Sequence, residues 1–246
     1  MAGHSRWKNI KHRKAASDAK RGKIWSKCVK AVMVAAKIGG PDPASNLSLR
    51  YAIDEARYAN VPRDTIERAI KKGAGEVGGE DWVDVRYEGF GPGGVAILVD
   101  ALTNNRTRTV GDLRLIFGKH GGNLGAAGAV AYLFQPRGVI VVKASRDDEE
   151  RVMDLAVGVN AVDVLPPEDD DDGWTILTEP AALASAKEAV ERAAFVIVRA
   201  SLEMVPETRT AVTGDVAERL ADLIDAIEDN DDVQKVSSNA EFVDQA

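Results

Sequence analysis

Hydrophobic positions recur at helical spacing through the first third of the chain. Over residues 18–38 the apolar side chains repeat with a period of about 3.6 residues, and a Gly-Gly-Pro sequence ends the pattern. Two shorter helices are predicted, one near residues 47–59 and one over residues 62–73, which a proline opens and a glycine closes. The first part of the chain is therefore predicted to be a small helical domain.

The period changes to that of β-strands after a glycine-rich polar linker. Residues 82–87 alternate between apolar and polar, the turn sequence GFGPGG follows, and residues 95–102 are mostly apolar, which together predict a β-hairpin. A helix is predicted around residues 113–117 and a strand at residues 130–134. These strands are too few to cover a core of their own.

Strands and helices are predicted over residues 139–204 in the order βαββαβ, which is typical of a ferredoxin-like unit. An amphipathic helix and a short strand follow within residues 216–236, and they are also incomplete alone. We therefore expect the segments on either side of this unit to pair with each other. The predicted fold is α+β and multidomain, with three parts: an N-terminal helical bundle at residues 1–76, an α+β domain at residues 77–136 plus 206–246, and a ferredoxin-like domain inserted at residues 137–205.

Charge is divided unevenly along the chain, although the net charge is only −7. Residues 1–40 hold eleven Lys and Arg residues and one acidic residue, whereas residues 137–246 hold ten basic and 26 acidic residues. Such a division favours a polyanionic partner for the basic end and a solvated acidic remainder. The alternative is a solvated basic tail without a dedicated partner.

Dense cations interleaved with aromatic rings suit contact with nucleic acid, because they neutralise phosphates and stack on bases. About six phosphate contacts would give a salt slope of about −5 on duplex DNA. We call residues 6–23 the basic head. Its candidate nucleic-acid-binding residues are Arg6, Trp7, Lys8, Lys11, His12, Arg13, Lys14, Lys20, Arg21 and Lys23.

A second candidate anion-binding surface lies in the sequence NNRTRT, which holds Arg106 and Arg108. Two arginines next to a predicted helix start could bind phosphate. Asn104, Asn105 and Thr107 are also good helix-capping residues, so a purely structural cap and loop is the equal alternative.

The residue types that catalysis and metal binding require are sparse. The single cysteine, Cys28, excludes an intramolecular disulfide, and the three histidines have no metal-ligand spacing. Two G-x-G-x-x-G matches, which start at Gly73 and Gly89, lack the strand-to-helix setting of a dinucleotide site. The acidic run at residues 168–172 lacks EF-hand spacing and favours a solvated turn. We expect no catalytic residues, no cofactor or metal, and no small-molecule substrate.

Nothing in the sequence predicts contact with a membrane or export. There is no run of about 18 apolar residues, and the first 17 residues lack the apolar segment of a secretory signal. The predicted location is the cytoplasm. The sequence favours no particular oligomeric state.

Long sequence segments carry a resemblance to a known family. They are MAGHSRWKNIKHRKAASDAKRGKIWSK, NVPRDTIERAIKKG, YEGFGPGGVAILVDALTNNRTRTVGDLR and FGKHGGNLG. The chain resembles the YebC/PmpR family of bacterial proteins, whose organellar relatives act in mitochondrial translation. The resemblance implies three domains around a cleft and a cytoplasmic protein without enzymatic activity.

The resemblance implies a probable DNA-binding transcriptional regulator or, alternatively, a translation factor that acts on the ribosome and relieves stalling. The partner would be DNA in the first case and ribosomal or transfer RNA in the second. No helix-turn-helix signature with base-contacting residues is apparent over residues 18–72, which weakens recognition of an operator. Contact with structured RNA requires only recognition of shape and backbone.

Overall fold

The structure is a computed structural model that describes residues 18–76, 82–167 and 173–243. Residues 135–205 form one compact unit, and the described residues before and after them form the other. The predicted α+β fold with N-terminal helices is confirmed. No helix in the described part of the chain is long and apolar enough to cross a membrane.

Seven α-helices occur within the described residues: α1 (Asp18–Gly39), α2 (Leu47–Tyr58), α3 (Arg63–Lys71), α4 (Arg106–Lys119), α5 (Glu149–Gly158), α6 (Leu183–Arg192) and α7 (Gly214–Glu228). The first three belong to the helical part of the larger unit.

The same residues contain ten β-strands: β1 (Val83–Phe90), β2 (Ala96–Thr103), β3 (Asn123–Leu124), β4 (Phe134–Lys143), β5 (Asp163–Leu165), β6 (Trp174–Thr178), β7 (Val196–Pro206), β8 (Thr210–Val212), β9 (Val233–Ser238) and β10 (Ala240–Phe242). The segments predicted to pair across the insertion do so, because β9 lies antiparallel beside β2.

The helical part is held by an apolar core between α1, α2 and α3. Val32, Leu49 and Ala56 are fully buried in it. Gly73, directly after α3, allows a close approach to α1, because a β-carbon at this position would lie 2.1 Å from the carbonyl oxygen of Met33. The glycine that ends the third predicted helix therefore also serves packing.

The α+β part consists of a four-stranded sheet in the order β3-β1-β2-β9 and a small parallel pair of β10 and β8. Helices α4 and α7 supply Leu113, Phe117 and Leu220 to its core, which are fully buried. Asn239 joins the two sheets, since its side chain accepts a hydrogen bond from the N–H of Ala96 and donates one to the hydroxyl of Thr210. The hydrophobic core thus depends on residues from both flanks of the insertion.

The inserted unit has strand order β5-β6-β4-β7, with α5 and α6 in the crossovers. The antiparallel register pairs Ile140 with Ile176 and Val142 with Trp174, and all four side chains are buried. The order βαββαβ with this sheet order is the predicted ferredoxin-like arrangement.

One predicted strand is largely wrong. The segment at residues 130–134 was expected to be extended, but Ala131–Leu133 form a 3-10 turn and β4 begins only at Phe134. The carboxylate of Glu88 accepts hydrogen bonds from the N–H groups of Val130 and Ala131 and so directs them away from a sheet. The acidic run at residues 168–172 lies outside the described residues.

Candidate nucleic-acid interface

The structure describes only the end of the basic head. Lys20 lies in the first turn of α1, and Arg21 is exposed one residue later. The candidates outside the described residues are Arg6, Trp7, Lys8, Lys11, His12, Arg13 and Lys14. Their role in binding nucleic acid stays a prediction.

Lys23, the last candidate of the head, is engaged inside the molecule. Its ammonium nitrogen lies 3.2 Å from a carboxylate oxygen of Asp229 and 3.3 Å from the carbonyl oxygen of the same residue. Both side chains are partly exposed, so the ion pair is a weak one. The structure thus places Lys23 at an internal contact.

Two further lysines of α1 make similar contacts. Lys27 donates to the carbonyl oxygen of Glu228 over 2.5 Å, and Lys30 donates to that of Asp231 over 2.8 Å. Lys23, Lys27 and Lys30 follow at intervals of four and three residues and therefore lie on one face of the helix. We call these three residues the lysine row.

The lysine row meets the carboxyl end of α7, where the last carbonyl groups have no partner within the helix and the helix dipole is negative. Burial lowers the pKa of Lys27, although Glu228 and Asp231 act in the opposite direction. Lys30 also lies over the ring of Trp82, 4.3 Å from the centroid. The row therefore fixes α1 to the α+β part of the same unit.

A buried carboxylate, that of Asp232, lies at the centre of this contact. Its Oδ2 accepts hydrogen bonds from Arg108 over 2.7 Å and from the hydroxyl of Thr109 over 2.8 Å. Lys30 lies 3.6 Å from Oδ1. Burial alone would raise the pKa of Asp232, but these donors outweigh it and hold the pKa below its ordinary value. Asp232 thereby joins α1, α4 and the start of β9.

The two arginines of NNRTRT occupy different environments. Both lie in the first turn of α4, where the side chain of Asn105 accepts a hydrogen bond from the N–H of Arg108 and caps the helix. Arg108 turns toward Asp232 and leaves 48% of its side chain exposed. Arg106 is exposed, and its carbonyl oxygen accepts a hydrogen bond from the hydroxyl of Tyr87. The capping alternative therefore applies to Asn105, and of the two arginines Arg106 is better placed to meet a phosphate.

Substitution of each arginine is expected to separate these roles. Arg108→Ala should lower the free energy of unfolding by about 1 kcal/mol, because Asp232 loses a half-exposed charged partner. Arg106→Ala should change it by less than about 0.5 kcal/mol and make the salt slope of nucleic-acid binding shallower by about 1. Urea denaturation and salt titrations of duplex binding measure both effects. Equal losses of stability would contradict this division, and an unchanged slope in Arg106→Ala would remove Arg106 from the interface.

The pattern of the sequence did not predict the lysine row or the buried carboxylates of Glu88 and Asp232. Burial alone would raise the pKa of Glu88, but three N–H groups, from Val130, Gly128 and Ala131, hold it below its ordinary value. Glu88 thus anchors a loop on β1. The spacing of the lysines, and the acidic sequence directly after α7, were the available signals for the lysine row.

Burial raises the pKa of the Cys28 thiol to about 11, so the thiol remains protonated and unreactive at neutral pH. No group of three or more His, Cys, Asp or Glu residues that could hold a metal ion occurs within the parts of the chain that the structure describes.

The N-terminal helices, the four-stranded sheet with its helices and the inserted βαββαβ unit place this chain among the α+β proteins. The family model described as the TACO1/YebC N-terminal domain matches residues 5–76, and that of the TACO1/YebC second and third domain matches residues 82–240. The chain belongs to the TACO1/YebC family, which confirms the resemblance in its sequence.

Similar proteins match along nearly their whole length. A protein from Persephonella marina is 49% identical, with 98% of this chain and 96% of the relative covered. A protein from Shewanella oneidensis is also 49% identical, with 100% of this chain and 98% of the relative covered. Both are named probable transcriptional regulatory proteins. A solved structure of a conserved hypothetical protein from Aquifex aeolicus is 44% identical, with a TM-score of 0.82 over 91% of each chain.

Proposed function

We propose that this protein is a cytoplasmic, non-enzymatic regulatory factor that binds nucleic acid through its basic head and acts on transcription. The proposal rests on the concentration of basic residues at the start of the chain, together with the contacts of the lysine row at the carboxyl end of α7. Three of the eleven cations in residues 1–40 hold α1 to the body of the protein. The remaining cations are concentrated ahead of that anchor.

The anchor changes which residues of the head are expected to bind phosphate. Seven cations and one acidic residue precede Lys23 in the sequence. Of these seven, Lys20 and Arg21 lie in α1 just ahead of its contacts at Lys23, Lys27 and Lys30, and the other five precede them in the sequence. We therefore expect most of the about six phosphate contacts to come from this set, with Trp7 and His12 stacking on bases. The set is Arg6, Lys8, Lys11, Arg13, Lys14, Lys20 and Arg21.

Arg106 supplies a second contact in this proposal, since it is exposed at the positive end of α4. The acidic remainder of the chain repels nucleic acid and so limits the ways in which the protein can bind. DNA is placed first because the similar proteins are named transcriptional regulators.

Contact with the ribosome is the second candidate. It is favoured by the mixture of Trp7, His12 and arginines in the head, because such side chains recognise unpaired bases and the backbone of structured RNA without reading a groove. In this case the partner is ribosomal or transfer RNA and the regulated step is translation.

Sedimentation of the native protein from lysate through a sucrose gradient, after DNase or RNase treatment, tests the proposal. Association that DNase removes and RNase leaves intact supports the transcriptional function. Migration with ribosomes that survives DNase and is lost after RNase replaces it with the translational one. Migration as a free protein under every condition, at low as well as high salt, would contradict both.

A further inference from the structure

The lysine row lies on the side of α1 that faces away from the core of the helical part. At about 100° per residue, its three lysines fall within a sector of about 60° around the helix axis. The residues of α1 that pack in the helical core, among them Trp25, Val29 and Val32, lie roughly opposite. Helix α1 therefore has two separate faces, one that packs the core and one that presents a line of ammonium groups.

The first two lysines of the row reach solvent, whereas the third is held firmly. The side chain of Lys23 is 43% exposed, that of Lys27 is half-buried, and that of Lys30 is only 16% exposed and binds the buried Asp232. One turn further along the same face, Val34 is buried. The row is therefore fixed at its carboxyl end, while Lys23 and Lys27 can exchange partners by rotation of their long side chains.

Three carboxylates at the end of α7 surround the two accessible lysines. We call Glu228, Asp229 and Asp231 the acidic tip. Lys23 pairs with the carboxylate of Asp229 over 3.2 Å, and Lys27 donates to the carbonyl oxygen of Glu228 over 2.5 Å. Burial lowers the pKa of Lys27, whereas the charges of Glu228, Asp231 and Asp229 each raise it. The charges of the tip thus act on Lys27 although its hydrogen bond is made to a peptide carbonyl.

The acidic tip stands where phosphates would otherwise meet these lysines. We propose that it is an autoinhibitory element, which occupies Lys23 and Lys27 and so keeps them from extending the phosphate-binding surface of the basic head along α1. This inference rests on the proposed nucleic-acid function and adds an internal control of the affinity.

The spacing of the two lysines suits a nucleic-acid backbone. Four residues of an α-helix span about 6 Å, and one strand of duplex DNA presents a phosphate about every 3.4 Å along the axis. Lys23 and Lys27 also follow directly after Arg21, a cation of the head. They would therefore continue the same line of phosphate contacts.

The tip opposes this exchange in two ways. It supplies acceptors for both ammonium groups, and its three negative charges repel an approaching phosphate. Without those charges the exchange is favourable, because a phosphate oxygen carries a negative charge and attracts an ammonium group more strongly than a peptide carbonyl does.

Neutralisation of the tip in the full chain tests the inference. Glu228→Gln, Asp229→Asn and Asp231→Asn together remove three charges and leave the backbone carbonyls in place. Binding of one labelled duplex should then have a salt slope of about −7, compared with about −5 for the wild type, because two lysines gain phosphate contacts. Affinity should rise at least about tenfold at about 50 mM salt, and this gain should vanish near about 200 mM.

The matched control changes the net charge by the same amount at another place. Glu149→Gln, Glu150→Gln and Asp154→Asn together remove three exposed charges from α5. This control should keep the slope near about −5 and change the affinity less than about threefold, because it releases no lysine.

Lys23→Gln combined with Lys27→Gln identifies the released groups. In the protein with the neutralised tip, this pair should return the slope from about −7 to about −5. In the wild type it should leave the slope unchanged, because the tip already withholds both lysines. Urea denaturation verifies that each variant is folded. If the triple variant unfolds, Asp229→Asn alone, at an exposed position, should steepen the slope by about 1.

Four outcomes would overturn the inference. A wild-type slope after neutralisation of the tip means that the lysines are not released, and an equal gain in the control means that only net charge matters. A shallower slope for the lysine pair in the wild type means that both lysines already contact phosphate. In these three cases nucleic-acid binding by the head still stands. Failure of the wild type to bind the duplex at low salt overturns the transcriptional function as well.

Discussion

Replacement of Lys8, Lys11, Arg13 and Lys14 by glutamate is expected to abolish most of the salt dependence of duplex binding. About six phosphate contacts give the wild-type protein a slope of about −5, so that affinity falls about 1000-fold between 50 and 200 mM salt. Removal of four contacts leaves a slope of about −2 and a fall of only about tenfold. At low salt the variant should bind far more weakly than the wild type. Titrations of one labelled duplex at several salt concentrations measure both quantities.

A matched control separates the basic head from net charge. Lys72, Lys143, Arg192 and Arg209 are exposed and lie outside the head, and their joint replacement by glutamate changes the net charge by the same amount. This control should keep the wild-type slope, because counterion release counts contacts with phosphate. If both variants lose the same amount of affinity and of salt dependence, duplex binding depends only on the net charge, and the basic head is not the interface.

Asp232→Ala is expected to cost about 3 kcal/mol of the free energy of unfolding. The substitution leaves the hydroxyl of Thr109, the guanidinium of Arg108 and the ammonium of Lys30 without their shared acceptor. Removal of this shared acceptor is costly chiefly because the ammonium of Lys30 and the hydroxyl of Thr109 stay largely buried, whereas Arg108 is half exposed. Urea denaturation of both proteins measures the difference.

Asp229→Ala is the control for this effect. The carboxylate of Asp229 is 61% exposed and pairs with Lys23, so its loss should cost less than about 1 kcal/mol. Equal costs for the two aspartates would contradict a central role for Asp232.

The pH dependence of stability gives a second test of Asp232. Its pKa in the folded protein lies below the ordinary value, so its stabilisation is present above the unfolded pKa of about 3.9 and is lost as pH falls through the folded pKa. The stability gap between the wild type and Asp232→Asn should therefore be constant near neutral pH and shrink below about pH 4. If the difference in free energy of unfolding persists unchanged at lower pH, the charge of the Asp232 carboxylate is not what stabilises the wild type.

Periodic patterns in the sequence predicted the helices and strands in which apolar residues recur along one buried face. The helix over residues 18–38 corresponds to α1, and the strand and helix order of residues 139–204 corresponds to the ferredoxin-like unit. The expected pairing of the two flanks followed from an incomplete core and appears as the antiparallel contact of β2 with β9. Such patterns work because amphipathic elements must each bury one face.

The internal contacts of charged residues could not be predicted in this way. Lys23 has the same sequence surroundings as the other cations of the head, yet it binds Asp229, which is 206 residues away. The carboxylate of Glu88 accepts hydrogen bonds from three N–H groups that lie some 40 residues further along the chain. Because of these hydrogen bonds, a turn forms where the sequence predicted a strand. Both contacts depend on which distant segments the fold brings together, and the sequence pattern near each residue carries no such information.

The lysine row also sets an order of events during synthesis. Lys27 in α1 binds the carbonyl oxygen of Glu228, 201 residues later, and the inserted unit lies between them. Segments of a growing chain fold as their partners emerge, so the inserted unit has all its strands before α1 gains its anchor. A chain interrupted before residue 228 therefore carries α1 packed against α2 and α3 but not yet joined to α7. The helical part is fixed to the α+β part only near the end of translation.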